Sequence, residues 1–156
     1  MQLSALMALR HEMTRKRQRH TFFYQVADFA TAMLSWACFF LYRKHLEGAA
    51  LEAATLNDPN FFYGIFIIPT GWVLFYGIFD QYNDIYRMSR LATLTRTLFL
   101  SFFGVLFLFF TLILDDFVSN YKTYYNSFLT LFVLHFSFTG TSRMIVLTRA
   151  SRKLKS

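Results

Sequence analysis

Features on which many soluble enzymes rely are scarce in this sequence. It has one cysteine, Cys38, so it offers neither an intrachain disulfide nor a thiol cluster that binds a metal. It also lacks a phosphate-binding glycine-rich loop, a His-Glu-x-x-His motif and a serine nucleophile elbow. The sequence therefore predicts no catalytic residue and no metal or cofactor site within this chain.

Acidic residues are also few, and the resulting excess of basic charge has two interpretations. Nine Asp and Glu stand against 16 Lys and Arg, which gives a formal net charge of +7. Such an excess is typical of proteins that bind nucleic acids. Here the basic residues flank long apolar runs, where membrane topology already explains them, so we predict no nucleic-acid partner.

Apolar residues are abundant, and they are gathered into runs. They make up 55% of the chain and include 21 Phe. A bilayer core about 30 Å thick needs about 20 consecutive apolar residues in a helix. Four runs approach this length: residues 22–42, 61–79, 97–114 and 124–146. We expect an all-α integral membrane protein whose transmembrane domain, residues 21–146, is a four-transmembrane-helix up-down bundle.

Basic residues predict the orientation of these spans, because short cytoplasmic loops are rich in Lys and Arg. Most of them lie in residues 1–20, between the second and third spans, or from Arg143 to the end of the sequence. Both termini are therefore expected in the cytoplasm. Residues 1–20 predict an amphipathic helix in the membrane interface, with a disordered basic tail as the alternative, and residues 147–156 predict a basic cytoplasmic tail.

Two polar residues well inside the predicted spans, Asp28 and His135, are candidates for a special role. Asp28 lies about two turns into the first, where an unpaired carboxylate costs about 2.5 to 3.5 kcal/mol. It needs a basic partner at the same depth, and Arg96 and Arg143 are the candidates. An interhelical salt bridge is one interpretation, and a proton or ligand site is the other. His135 has no carboxylate or cysteine neighbour in its span, so we expect a neutral side chain hydrogen-bonded to another helix.

Aromatic and proline residues add detail to the predicted bundle. Tyr76 and Tyr82 lie near the end of the second span and are expected to anchor it at the membrane interface. Trp36 and Trp72 lie deeper and are expected to pack between helices. Pro69 is predicted to kink the second span, because proline removes a backbone hydrogen bond.

The segment between the second and third spans is charged. It carries Arg87 and Arg90, Arg96 follows at the start of the third span, and Arg143 lies at the end of the fourth. These four arginines are expected to form a rim at headgroup level that attracts lipid phosphates. Within the segment, Asp84 precedes Arg87 by three residues, a spacing at which side chains pair on one helix face.

The order of these features resembles one known family. Asp28 stands early in the first span, the second span continues as GWVLFYGIFDQYNDIYRMSR, the third reads LFLSFFGVLFLFFTLILDD, and the fourth ends in TSRMIVLTRASRK. With these motifs, residues 20–156 resemble the N-terminal membrane region of bacterial polyprenyl-phosphate sugar-1-phosphate transferases. Many such proteins carry a Glu a few residues after the Ser-Arg pair. This chain has Thr93 there, which removes a capping-box partner for Ser89.

The resemblance implies a role in exopolysaccharide, capsule or O-antigen synthesis at the bacterial inner membrane. In that family a catalytic domain follows the membrane region, and an Asp-Glu pair in it uses magnesium to transfer a sugar-1-phosphate from a nucleotide sugar to undecaprenyl phosphate. Those catalytic residues have no counterpart in this chain. The resemblance thus implies a module that anchors, self-associates and positions a catalytic domain, in cis or in trans, near its lipid substrate.

Two other functions agree with the same residues. Asp28 as a proton-coupled carboxylate suits a small four-span transporter or a lipid-linked-sugar flippase. A structural subunit of a larger membrane assembly is the third class. The expected partners are membrane lipids, among them undecaprenyl phosphate, and further copies of the chain.

Overall fold

The computed structural model describes residues 2–46, 48, 58–82, 89–113 and 121–153. These residues form four helices: α1 (Gln2–Leu46), α2 (Pro59–Ile78), α3 (Arg90–Leu108) and α4 (Tyr121–Lys153). A five-residue π-helix, Phe109–Ile113, continues α3. No strand occurs among the described residues, and the predicted all-α fold is confirmed for that part of the chain.

Local sequence explains where two of the helices begin. The side chain of Asp58 accepts a hydrogen bond from the backbone N of Asn60 at 2.9 Å, and the proline that follows Asp58 occupies the first turn of α2. The side chain of Ser89 accepts one from the backbone N of Ala92 at 3.2 Å. Each cap satisfies a backbone donor that has no partner within its helix. Polar residues at these two positions therefore determine the first turns of α2 and α3.

Three helix boundaries differ from the sequence prediction. Residues 2–20 and the first predicted span lie in one helix, since the sequence contains no glycine or proline before Gly48 to interrupt it. α3 begins at Arg90, ahead of the apolar run, because the Ser89 cap starts the helix within polar sequence. α4 continues to Lys153, so much of the predicted tail, residues 147–156, is helical.

Contacts between the helices show an up-down-up-down arrangement. At one end, the rings of Phe40 and Phe61 lie 5.2 Å apart and join α1 to the start of α2. At the other end, Tyr82, just after α2, reaches back to Asp28 in α1. The second helix pair follows the same pattern. The ring of Phe109, just after α3, lies 6.3 Å from that of Tyr124 near the start of α4. Thr97 in the first half of α3 is hydrogen-bonded to Arg143 in the last third of α4. We call the end that holds Asp28 and Tyr82 the network end and the opposite end the far end.

Glycines allow two tryptophans to pack between helices. The indole of Trp36 in α1 lies against Gly64 in α2, and the indole of Trp72 in α2 lies against Gly104 in α3. A Cβ atom at either glycine would collide with the facing ring. Across the bundle, the most extensive packing is between α1 and α4, between α1 and α2, and between α3 and α4. The expectation that both tryptophans pack between helices is confirmed.

Three helical segments among the described residues are long and apolar enough to cross a membrane. They are Pro59–Ile78, Arg90–Thr111 and Lys122–Arg149. α1 is not one of them, because Gln25, Asp28 and other polar residues dilute its apolar segment. Much of the bundle's outer surface is formed by large apolar side chains, as expected of a protein in contact with lipid. Prominent among them are Phe22, Phe66, Ile67, Leu74, Phe99, Phe103, Phe107 and Leu129. The protein is therefore membrane-embedded.

Candidate functional site: a buried polar network that joins four helices

The centre of the network is an ion pair between α1 and α4. Nε of Arg143 donates to Oδ1 of Asp28 at 3.2 Å, and Nη2 donates to Oδ2 at 2.7 Å. The two side chains are 1% and 2% exposed. A guanidinium and a carboxylate in this two-point geometry form one of the strongest hydrogen-bonded pairs in proteins. Of the two partners predicted for Asp28, the structure selects Arg143.

The other two helices supply a further donor and acceptor. The hydroxyl of Tyr82, in the turn after α2, donates to Oδ2 of Asp28 at 3.1 Å. The third nitrogen of the guanidinium, Nη1 of Arg143, donates to Oγ1 of Thr97 in α3 at 2.8 Å. Thr97 in turn donates to the backbone O of Thr93 at 2.7 Å. The ion pair thus draws on α1, α3, α4 and the end of α2, with every nitrogen of the guanidinium bonded.

Burial and charge act together on the Tyr82 phenol. Its side chain is buried, and its hydroxyl faces the carboxylate of Asp28. Burial disfavours a phenolate, and the neighbouring negative charge disfavours it further. The pKa of Tyr82 is therefore raised well above its ordinary value of 10.0. The hydroxyl keeps its proton and remains a donor to Asp28.

Aromatic rings extend the network toward the middle of the bundle. The guanidinium carbon of Arg143 lies 4.3 Å from the centre of the Tyr76 ring, a cation–π contact. The Tyr76 hydroxyl is hydrogen-bonded to Nε2 of His135 at 2.8 Å. The imidazole stacks on the indole of Trp72, with ring centres 3.7 Å apart. The expected hydrogen bond from His135 to another helix is confirmed, and its partner is the hydroxyl of Tyr76.

Hydroxyl groups continue the network between α1 and α4. Oγ1 of Thr139 lies 3.5 Å from Nε2 of His135 and 3.4 Å from Oγ1 of Thr31 in α1. Thr31 also donates to the backbone O of Asp28 at 3.0 Å, and Ser35 donates to the backbone O of Thr31 at 2.7 Å. Polar side chains between the helices are therefore connected from Asp28 to the middle of the bundle.

The hydrogen bonds of the ion pair fix the helices relative to one another. The Asp28 carboxylate accepts three hydrogen bonds, and its basic partner, Arg143, donates three. Among the residues that the structure describes, no group of three or more His, Cys, Asp or Glu side chains is placed to hold a metal. Nδ1 of His135 is buried and has no hydrogen-bond partner in the described part of the chain. The network's strongest contacts are the ones that join one helix to another.

Only some of the four arginines predicted to form a headgroup rim lie where that prediction requires. Arg143 does not belong to it, since its side chain is buried in the network. Arg96 donates from Nη2 to the backbone O of Phe79, at the end of α2. Arg90 is exposed at the start of α3, and Arg87 lies outside the described residues, as does its expected pairing with Asp84.

Three further predicted residues have clear places. Tyr76 and Tyr82, expected as interface anchors, are instead buried members of the network. Their hydroxyls find partners inside the bundle, which outweighs the preference of tyrosine for the interface. α2 runs through Pro69 without interruption, and the proline ring is buried, so the kink stays a prediction.

The hydroxyl partners were not predicted, although the sequence contains a signal for them. In α3 and α4, buried residues recur every four positions, and most of them are polar, which places them on one helix face. The buried positions spaced by four are Thr93, Thr97 and Ser101 in α3, and Ser127, Leu131, His135, Thr139, Arg143 and Leu147 in α4. Small polar residues on one face of an apolar helix indicate a helix–helix interface in a membrane.

Comparison with known proteins assigns no relative to this bundle: no protein-family model, no curated protein and no solved structure matches the chain.

Proposed function

We propose that this chain is the membrane module of a polyprenyl-phosphate sugar-1-phosphate transferase, with four spans and both termini in the cytoplasm. It would anchor a catalytic domain, in cis or in trans, beside a lipid phosphate in the inner membrane. The observation that carries the proposal is that the network joins all four helices at the end where exposed arginines lie, among them Arg90 and Arg149. A rigid bundle end with basic residues around it suits a platform for phosphates.

The ion pair supports α1 as the fourth span. Inside a bilayer, a carboxylate is tolerated when it faces the bundle interior and is paired with a base. Asp28 meets both conditions through Arg143. The opposite face of the same segment is apolar and exposed, with Phe22, Phe23 and Val26 pointing outward. The low apolarity of α1 thus arises from residues that face its neighbours, and its outer face suits lipid.

The network also bears on the alternative of a transporter. A proton-coupled carboxylate has to exchange its proton with water during transport. Asp28 is 1% exposed and accepts hydrogen bonds from both Arg143 and Tyr82. These contacts favour a permanent ion pair that holds the bundle together. They give the module function an advantage over the proton-coupled one.

Topology is the first test of the proposal. Reporter fusions at each terminus, one active only in the cytoplasm and one only outside it, would be compared in bacterial cells. We expect cytoplasmic signals at both ends. A terminus outside the cytoplasm would contradict the four-span arrangement, because four spans return the chain to the side on which it began.

Lipid binding tests the platform itself. The purified chain would be placed in phosphatidylcholine nanodiscs with undecaprenyl phosphate or with undecaprenol, and bound lipid measured by native mass spectrometry. We expect the chain to retain undecaprenyl phosphate but not undecaprenol. The Arg87→Gln, Arg90→Gln double variant should lose the bound undecaprenyl phosphate. Lys122→Gln, at the far end, is the matched control and should retain it. Equal retention of both lipids would overturn the platform function.

The link to sugar transfer needs its own measurement. The tagged chain would be purified with its native membrane partners, and the sample assayed for magnesium-dependent transfer of a sugar-1-phosphate from a nucleotide sugar to undecaprenyl phosphate. We expect activity above that of an unrelated tagged four-span protein purified in the same way. Activity at the level of that control would contradict the assignment to this family of reactions.

A further inference from the structure

A second polar and aromatic site lies at the far end of the bundle, away from the network. It is a cleft of about 440 Å³ between α1 and α2. Sites for small ligands are clefts of about 300–1,000 Å³ with apolar walls and a few polar groups, so this volume suits one. Its lining belongs to neither the network nor the arginine rim.

Apolar and aromatic side chains form one part of the cleft. Trp36 and Phe40 come from α1, and Ile67 and Ile68 from α2. The indole of Trp36 lies against Gly64, where a side chain would collide with it. Ile67 is 66% exposed, so the cleft opens to the outer surface of the bundle. On α2, a helix apolar enough to cross a membrane, that surface faces lipid chains.

Charged and polar side chains form the other part. Arg43 and Lys44 end α1, and Asp58 and Asn60 begin α2. Lys44 forms an ion pair with Asp58 at 3.4 Å and lies 5.6 Å above the ring of Phe40. Among the described residues that line this part, two are basic and one is acidic, so this lining carries a net positive charge. It lies where α2, a helix apolar enough to cross a membrane, begins, which is the depth of lipid headgroups.

We propose that this cleft binds one lipid with an anionic phosphate headgroup, the phosphate at Arg43 and Lys44 and an acyl chain against Trp36 and Ile67. The order of the lining matches the ligand, with apolar groups toward the middle of the membrane and bases at its surface. Arginine recognises a phosphate through two parallel hydrogen bonds, and lysine adds a compact charge. The site is independent of the proposed function, since it lies at the opposite end of the bundle.

Tryptophan fluorescence reads this site directly, because the chain has two tryptophans and only Trp36 lines the cleft. The full chain would be reconstituted in phosphatidylcholine vesicles that contain either brominated phosphatidylglycerol or brominated phosphatidylcholine at the same mole fraction. Bromine quenches an indole that it contacts. We expect stronger quenching by the anionic lipid. Equal quenching by the two lipids would overturn the proposal, because Trp36 would then contact bulk lipid only.

Substitutions assign the excess quenching to the cleft. Arg43→Gln and Lys44→Gln are each expected to remove it, whereas Arg149→Gln, which removes an exposed base at the other end, should leave it unchanged. Trp36→Phe should abolish the excess, while Trp72→Phe should keep it. Circular dichroism would check that each variant is folded. Excess quenching that survives both Arg43→Gln and Lys44→Gln, or that persists in Trp36→Phe, contradicts the site.

Discussion

The guanidinium of Arg143 holds both carboxylate oxygens of Asp28 across 115 positions of sequence, at 2.7 and 3.2 Å. Both residues are buried, and the pair links α1 to α4. Breaking a buried ion pair leaves one charge without a partner, which is costly in any apolar environment. The stability of the bundle should therefore depend on having both residues or neither.

Replacement of one member is expected to destabilise the protein strongly. Asp28→Leu should lower the free energy of unfolding by about 3 to 5 kcal/mol, since Arg143 is left unpaired. The double variant Asp28→Leu, Arg143→Met should recover much of this loss. Unfolding in mixed micelles with increasing SDS would measure both. Arg149→Met, an exposed base on the same helix, is the control, and a double variant less stable than the single one would contradict the pair's role.

Tyr82→Phe removes one of the donors to Asp28 while it keeps the ring. A hydrogen bond to a charged group contributes about 1.5 to 3 kcal/mol, so we expect a loss near the lower end because Arg143 remains. Tyr125→Phe, at an exposed position, should change the free energy of unfolding little. An equal effect of the two substitutions would show that the Tyr82 hydroxyl has no special role.

Because of Tyr82, we also expect the stability of the protein to depend on pH. Because the pKa of Tyr82 is raised above 10.0 in the folded protein by burial and Asp28, the folded state favours the protonated phenol. This contribution is complete below pH 10.0 and falls as the pH rises further, where the unfolded chain releases the proton first. The wild type should lose stability above pH 10.0 more steeply than Tyr82→Phe. Parallel profiles for the two proteins would contradict the shift.

Gly104 tests the close approach of α2 and α3. A Cβ at this position would collide with Trp72, so Gly104→Ala forces the indole or the helix to move, at a cost of about 1 to 3 kcal/mol. Gly71 has nothing within 4 Å of its would-be Cβ. Gly71→Ala should therefore be neutral or stabilise by up to about 1 kcal/mol, since alanine favours helix. The opposite order of stabilities would show that the Trp72 contact is unimportant.

Substitutions of two neighbouring arginines, Arg90 and Arg96, are expected to affect different properties, one lipid binding and the other stability. Arg96 donates to the backbone O of Phe79, so Arg96→Gln should lower the free energy of unfolding by about 0.5 to 1.5 kcal/mol. Arg90 is exposed, so Arg90→Gln should leave stability unchanged and reduce retention of lipid phosphate. Thermal unfolding and lipid retention would be measured on the same samples. A stability loss in Arg90→Gln of the size seen in Arg96→Gln would contradict this division.

The sequence by itself determined the helices and several of their ends. Apolar runs of this length form helices in a bilayer, because an α-helix satisfies the backbone groups within a single segment. Asp58 and Ser89 are caps whose chemistry acts within a few residues of the chain. The need of Asp28 for a basic partner also followed from the sequence, since a lone carboxylate is costly inside a membrane.

Only the tertiary structure decided which groups meet. Arg96 and Arg143 were equally placed along the chain, and the packing of α1 on α4 brought Arg143 to Asp28 and left Arg96 at the end of α2. Tyr76 and Tyr82 had the sequence positions of interface anchors, yet neighbouring helices enclosed them because Asp28, Arg143 and His135 offered partners. The position of a residue along its own helix determines its depth in the membrane, but its bonding partner depends on which helix faces are in contact.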